Sequence, residues 1–234
     1  LYLASNGAAA VQNPRLDDAG IRKYFQGIFI SEERRYFLFM KAVIMAGGDG
    51  KRLRPLSCTM PKPMVPLLNK PVLGYCMELI KKHGFDEAIL TLRYLPNVIR
   101  RYIGDGSAFG IKAECAVEDK PMGTAGGVKN ALKQADDSVL IMSGDAMCDF
   151  DLTDAMREHR RSGAAATILL KKVKVPMEYG VVLKDKDGFI SRFIEKPSAA
   201  EVFSDLVNTG IYIFSQKALG YIPENQVSPV NSGT

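Results

Sequence analysis

From residue 40 onward the chain alternates short, uninterrupted apolar runs with longer amphipathic stretches, and few architectures satisfy that rhythm. Residues 42–46 are apolar without a break, as a strand buried on both faces requires. Residues 72–83 carry apolar positions at helical spacing, with Pro71 ahead and Gly84 behind. A strand follows at 88–92. A short helix comes after Pro96, marked by Val98, Ile99, Tyr102 and Ile103. A strand at 111–117, a helix at 125–134 with Thr124 as its cap, a strand at 139–142 and a helix at 152–161 capped by Asp151 continue the series. Strand and helix in strict alternation predict βαβ crossovers. The expected fold class is therefore α/β, a Rossmann-like, mostly parallel sheet with helices on both faces.

The rhythm then changes. Residues 165–170, 181–183, 189–194 and 211–214 read as strands with no long helix among them, and 184–188 (KDKDG) reads as a hairpin turn. The second half is expected to add antiparallel strands. Residues 1–39 show little periodicity and are read as an extension outside the functional domain, which spans 40–225. Residues 226–234 read as a tail.

Several functions are disfavoured at once. No apolar run approaches the roughly 18 residues of a membrane helix, and the N-terminus lacks the apolar core and cleavage site of a secretory signal. The net charge of +5 is spread through the sequence, which argues for a solvated surface and against a nucleic-acid partner. Cys58, Cys76, Cys115 and Cys148 form no CxxC pair, which fits a reduced, cytoplasmic setting. The two histidines, His83 and His159, fall near expected helix ends, where surface or dipole roles are the default. They give little support to a zinc site or a Ser-His-Asp triad.

Ligands of such sheets bind at the carboxyl ends of the strands, which directs attention to the loops 46–55, 118–124 and 143–151. In the first, Ala46, Gly47, Gly48, Asp49 and Gly50 precede Lys51, Arg52, Leu53 and Arg54. Glycines let backbone amides approach an anion, and the basic residues offer charge-assisted partners for phosphate. Taken alone, a tight basic turn explains the loop equally well. Two familiar phosphate motifs fail on spacing: a P-loop needs glycine at Met45 and a hydroxyl residue at Arg52, and a dinucleotide fingerprint needs a third glycine where Leu53 stands. Next, Pro61 and Pro63 hold the backbone of Lys62 extended, a setting that suits a phosphate clamp.

GGDGKRLRPLSCTMPKPMVPLLNKPVL resembles the signature of the sugar-phosphate nucleotidyltransferases, and most of all the mannose-1-phosphate guanylyltransferases. Further motifs follow in the family's order: PMGTAG at 121–126, SGD at 143–145, EYGVV at 178–182, FIEKP at 193–197 and VNTG at 207–210. The resemblance implies transfer of a nucleotidyl group from a nucleoside triphosphate to a sugar 1-phosphate, with release of pyrophosphate and help from Mg²⁺. By motif position it implies Arg52 and Lys62 as catalytic residues and Asp145 as the Mg²⁺ ligand. Ala46, Gly47, Gly48, Gly50 and Lys51 fall at the nucleotide site together with Glu118, Pro121, Gly123 and Thr124. Gly144, Tyr179, Gly180, Glu195, Lys196, Asn208 and Thr209 fall at the sugar-phosphate site. Family members often form homo-oligomers.

Glu118 bears on the base: a carboxylate accepts two hydrogen bonds from guanine, whereas uracil and thymine offer one such donor. The carboxylate favours GTP and the resemblance favours mannose 1-phosphate, with thymidylyl or uridylyl transfer to glucose 1-phosphate, or a binding module without turnover, as alternatives. A dinucleotide-dependent oxidoreductase would suit the sheet but fails the fingerprint. Two departures stand out. Lys51 replaces the family's usual small hydroxyl residue. The family's second metal-binding aspartate, in a Trp/Asp/Gly-type motif, has no counterpart between Ile211 and Thr234, so the chain is expected to end short of the full apparatus.

Overall fold

The computed structural model describes residues 40–132 and 138–222, together with two strands nearer the N-terminus. The last positions of the expected helix at 125–134 and the expected tail at 226–234 lie outside the described residues. The chain divides into two compact units, Leu1–Met40 and Lys41–Thr234. The first contains β1 (Tyr2–Ser5) and β2 (Gly27–Ile30), paired in parallel with Tyr2 opposite Gly27. Its aperiodic sequence does not announce that pair.

The second unit opens with β3 (Lys41–Met45), in which Ala42, Val43 and Ile44 are fully buried. A small hairpin of β4 (Pro66–Leu67) and β5 (Lys70–Pro71) follows. Leu68 and Asn69 turn it with φ of 49° and 64°, the left-handed geometry that two-residue hairpin loops favour. Helix α1 (Val72–Lys82) buries Leu73, Cys76, Met77 and Ile80 along one stripe, and His83 and Gly84 end it. Then come β6 (Glu87–Leu92), α2 (Pro96–Ile103), β7 (Lys112–Val117), α3 (Gly123–Ala131) and β8 (Val139–Ser143). Helix α4 (Leu152–Ser162) begins where the Asp151 side chain accepts the Asp154 N–H at 2.9 Å, the expected cap. Helix α3 starts at Gly123, whose φ is +71°, with Met122 at the cap position; Thr124, expected as the cap, lies inside the first turn.

β3 pairs in parallel with β6 on one side and β8 on the other, and β6 pairs with β7. The spatial order β8-β3-β6-β7 means that the chain builds outward from β3, then crosses back to lay β8 on its free side. That reversal opens a crevice at the carboxyl ends of β3 and β8. On one face of the sheet Val43, Ile89 and Ile141 pack with Ala125, Val128 and Leu132 of the α3 segment and with Tyr212 and Leu219. By strand alternation Ala42, Ile44, Leu90, Leu140 and Met142 point to the other face, and all are buried. Both faces are covered, which is why these strands read as unbroken apolar runs.

The remaining elements are β9 (Ala166–Lys172), β10 (Gly180–Lys184), β11 (Ile190–Glu195), β12 (Leu206–Phe214) and the short α5 (Gln216–Gly220). β12 joins β8 antiparallel, from Ile211 opposite Met142 to Phe214 opposite Val139, and carries β9 antiparallel along its other side. Its first half meets β10 through Val181 and Val207. β10 and β11 form the expected hairpin, whose turn is held by the Asp185 carboxylate accepting the N–H groups of Asp187 and Phe189. The sequence predicts β12 only over 211–214. The strand begins earlier because Asn208, Thr209 and Gly210, which read as breakers, are absorbed as an irregularity in the β9 pairing with Gly210 at φ +77°.

We expect a chain lacking residues 1–39 to keep the fold of the second unit. Circular dichroism and thermal unfolding of the shortened chain check this, and loss of the cooperative transition would show that the first unit is needed.

Candidate functional site

The four parallel strands deliver four loops to one edge. A cleft of about 310 Å³ lies there, lined by Ala46, Gly47, Gly48 and Gly50 after β3, Thr91 and Arg93 at the end of β6, Glu118 after β7, and Ser143 and Asp145 at the end of β8. Lys62, Pro63, Pro121, Gly123 and Thr124 complete its wall. Three backbone bonds set the frame. Ala46 N–H donates to Thr91 O at 2.9 Å, Gly144 N–H to Met45 O at 2.9 Å, and Glu118 N–H to Leu92 O at 2.8 Å. Each loop is thus pinned to the neighbouring strand before its side chains are placed.

The glycine-rich loop ends in a short 3-10 turn, Lys51–Leu53. Gly50 precedes it in the left-handed region (φ 59°, ψ 29°), where a side chain would be strained, and a Cβ there would crowd Ser57 and Lys62 at 3.2 and 3.3 Å. The buried Ser57 hydroxyl fixes this residue by donating to Gly50 O at 2.7 Å. Lys62 enters from the Pro-bounded turn Lys62–Met64, and its Nζ lies 2.5 Å from Asp145 Oδ2. The other oxygen of Asp145 accepts the Ser143 hydroxyl at 2.5 Å. Burial pushes the Asp145 carboxyl up, but the bonds from Lys62 and Ser143 outweigh it and hold the carboxyl below its usual range. Beneath this loop the Cys76 thiol donates to Ala146 O at 3.4 Å, and burial, with Cys148 and Asp145 nearby, pushes it up to about 12. It is inert as a nucleophile.

Glu118 stands across the cleft against α3. A Cβ on Gly127 would come within 2.1 Å of its Oε1, so the helix needs glycine there to admit the carboxylate. Burial raises the Glu118 carboxyl above the usual range, opposed by a backbone hydrogen bond from Met122 and by the charge of Arg93. Arg93 is ion-paired through Nη2 with Asp49 Oδ1. Its Cβ is also one of the nearest atoms to the space a Gly47 Cβ would fill, at 3.4 Å.

A second cavity, of about 340 Å³, is lined by residues 146–150 of the loop that carries Asp145, and by Lys171, Val173, Tyr179, Val207, Asn208, Thr209 and Ile211. Asp145 lies on the first cleft and Ala146 on the second, so one loop borders both. Asn208 Nδ2 donates to the Tyr212 hydroxyl at 2.7 Å, and Thr209 Oγ1 to Leu169 O at 2.7 Å. Gly180 pairs with Glu195 across β10 and β11, and Lys196 N–H donates to Tyr179 O at 3.0 Å from a backbone with φ of +47°.

The residues expected at the nucleotide thus converge on the first cleft, with Lys62 and Asp145. Arg52 and Lys51 do not line it: both are exposed, in the turn at its lip. Gly144 is buried behind it, where a Cβ would meet Ile44 Cγ2 at 3.0 Å. Of the residues expected at the sugar phosphate, Tyr179, Asn208 and Thr209 line the second cavity, while Gly180, Glu195 and Lys196 sit on the hairpin beside Tyr179 and outside the lining. The sequence reading missed Arg93, which follows β6 as Gly47 follows β3; scanning the loop after every parallel strand finds it. It also misplaced His159, which is buried at 2% exposure between the hydroxyls of Thr167 (2.8 Å) and Ser138 (3.1 Å).

The Asp145 carboxylate on the wall of this cleft suits a hard cation that takes its other ligands from phosphate and water. Among the described residues no group of three or more His, Cys, Asp or Glu side chains gathers to hold a metal unaided. Nor is any helix there long and apolar enough to cross a membrane.

Comparison with known proteins agrees with the geometry. The sequence profile described as nucleotidyl transferase matches residues 41–234. The UTP–glucose-1-phosphate uridylyltransferase of Synechocystis sp. is 41% identical over 201 residues, covering 80% of this chain and 52% of that protein. The mannose-1-phosphate guanylyltransferase catalytic subunit beta of Danio rerio is 37% identical over 203 residues, covering 82% and 56%. The chain thus spans about half the length of these relatives. The crystal structure of HddC from Yersinia pseudotuberculosis gives a TM-score of 0.72 at 28% identity, covering 82% of this chain and 84% of that one; its complex with GMP-PN gives 0.69 at 29%, covering 80% and 82%.

Two outcomes follow from the site alone. Asp145 is held below its ordinary range, so the stabilisation it gives is present above pH ~4 and is lost as pH falls through its lowered folded value. The difference in unfolding free energy between the wild type and Asp145→Asn, measured by denaturant titration, is expected to be flat above that pH and to shrink below it. Gly127→Ala is expected to displace the Glu118 carboxylate while moving the thermal midpoint little, since the obstructed atom is the end of a flexible side chain; a crystal structure and the thermal unfolding of the variant check this.

Proposed function

The chain belongs to the nucleotidyl transferase family, and on that premise we propose that it transfers a nucleotidyl group from a nucleoside triphosphate to a sugar 1-phosphate. The phosphate oxygen of the sugar attacks the α-phosphorus, the bond to the β-phosphate oxygen breaks, and pyrophosphate leaves. The observation that carries this reading is the Lys62–Asp145 pair, at the strand-order reversal between a glycine-rich cleft and a second cavity.

In this reading the amides of Gly47, Gly48 and Gly50 bind the nucleotide phosphates and Lys62 bridges the two reacting phosphates. Arg52 reaches the triphosphate from the lip, and Asp145 holds Mg²⁺. Bound Mg²⁺ would neutralise charge on the phosphates. The protein's own part is orientation and electrostatic stabilisation, which dominate phosphoryl-type transfer. Tyr179, Asn208 and Thr209 orient the sugar, with Glu195 accepting from its hydroxyls and Lys196 near its phosphate. Residues 1–39 take no part.

We assign GTP as the favoured nucleotide, because the Glu118 carboxylate can accept two hydrogen bonds from guanine. The likeness to the mannose-1-phosphate guanylyltransferase of Danio rerio supports mannose 1-phosphate as the acceptor. The 41% identity to a UTP–glucose-1-phosphate enzyme keeps uridylyl transfer to glucose 1-phosphate as the second reading.

Pyrophosphate release with Mg²⁺, GTP and mannose 1-phosphate is expected to require both substrates and to fall by at least about a hundredfold in Lys62→Ala and Asp145→Ala, the scale of losing one transition-state contact. Parallel assays with UTP, dTTP and ATP and with glucose 1-phosphate decide the base and the sugar. A clear preference for UTP or dTTP would overturn the assignment from Glu118, and no release with any pair would leave a binding module.

A further inference from the structure

The charged side chains lining the nucleotide cleft balance: Lys62 and Arg93 stand against Asp145 and Glu118. Each cation is also already committed, Lys62 to Asp145 and Arg93 to Asp49. A polyphosphate entering such a cleft needs a cation that can let go of its partner at low cost. The two pairs differ in this respect. Asp145 is further tied by Ser143, and beyond Lys62 no other cation is in ion-pair contact with it among the described residues. Asp49 has a second cation in reach: Lys51 Nζ lies 4.0 Å from its Oδ2, and Lys51 is three-quarters exposed and free to swing. If Arg93 left Asp49, the carboxylate would keep a counter-ion and would not be stranded. The position of Arg93 fits the exchange. Its guanidinium reaches back to Asp49, inside the glycine-rich loop where the phosphates are expected. Its own backbone lies at the end of β6, and its side chain lines the cleft and is 30% exposed.

We propose that Arg93 is a phosphate-binding residue of this site, parked on Asp49 in the free protein and transferred to the polyphosphate chain when nucleotide binds, with Lys51 taking over Asp49. The inference rests on the reading of the cleft as a nucleoside triphosphate site. It gives Lys51 a purpose, in the position where the family usually has a small hydroxyl residue, and makes Asp49 a competitor of the ligand. A planar guanidinium suits this role because it can grip a carboxylate or a phosphate with the same two N–H groups.

The competitor role makes the test sharp. Calorimetry with GTP and UTP, and with guanosine and uridine as their phosphate-free counterparts, is to be run on the wild type, Arg93→Ala, Arg93→Gln and Asp49→Asn. Loss of Arg93 is expected to weaken the bound triphosphate roughly tenfold, as for one charge-assisted hydrogen bond, and to change the nucleoside far less, uridine least because its base does not call on Glu118 for two bonds. Asp49→Asn is expected to tighten the triphosphate by about two- to fivefold, the range for releasing a partly exposed ion pair. Weakening by Asp49→Asn as large as that of the Arg93 variants would overturn the proposal, since the pair would then only shape the loop. Equal losses for nucleoside and triphosphate in the Arg93 variants would also overturn it. If the wild type binds no triphosphate at all, the reading of the cleft fails first. Arg93→Gln keeps the side chain's length, so the comparison survives if the alanine variant does not fold.

Discussion

Everything at the candidate site depends on β3 being flanked by parallel partners on both sides. A strand hydrogen-bonded to β6 and β8 in the same direction must end where they end, and its loop must share an edge with theirs. Because the chain reaches β8 only after building outward to β7, no connection crosses directly between the tips of β3 and β8. The space left there is the cleft, at the edge where open sheets of this kind take their ligands. The apolar cores of these strands are buried on both faces and leave them little freedom to slip, so the loops above inherit a rigid base. The antiparallel β12 extends the same base in the other direction and carries Asn208 and Thr209 to the far side of the Asp145 loop.

On that base the electrostatics form two ion pairs. Both pairs bring a basic residue and an acidic residue from different loops: Lys62 with Asp145, and Arg93 with Asp49. Neither is buried deeply enough for desolvation to make it very costly, and neither is exposed enough to be negligible. Such pairs do more to organise the free cleft than to stabilise the fold. They hold the charges a polyphosphate would need near their working positions and keep them from repelling one another or collapsing onto the backbone. The difference between them is one of alternatives. Asp145 is also held by Ser143 and has no ion-pair partner but Lys62 among the described residues, whereas Asp49 can be handed to Lys51.

The parallel half of the fold was legible because burial on both faces leaves one kind of residue at each position. The apolar runs at 42–46, 88–92 and 139–142 match β3, β6 and β8 to within a residue or two. The antiparallel half was less so. Its strands are partly exposed, and β12 contains Asn208, Thr209 and Gly210, whose local preference for a turn is contained as an irregularity between the stretches that pair with β9 and β8. The site shows the same division. Gly50 could be read because a glycine-rich turn lets the backbone approach a ligand, and Lys62 because prolines flank it, although the backbone expected to be extended there is a 3-10 turn, Lys62–Met64, with only Pro61 extended. Arg93 shows only as a position, the first residue after a parallel strand, because a single arginine there has no motif to announce its role. Its meaning comes from Asp49, 44 residues earlier, across a strand pairing.

That distinction also bears on what can vary among proteins built on this frame. The glycines, Lys62 and Asp145 answer to constraints of backbone and phosphate geometry that any member with this cleft would face. The trio Asp49, Lys51 and Arg93 answers only to a charge balance, which other residues can meet in other ways. A neutral residue in place of Asp49 would remove the competitor and also the reason for Lys51. A neutral residue in place of Arg93 would leave Asp49 facing an incoming anion with Lys51 alone to screen it. The three positions are therefore expected to change together, and the cost of changing one depends on the other two.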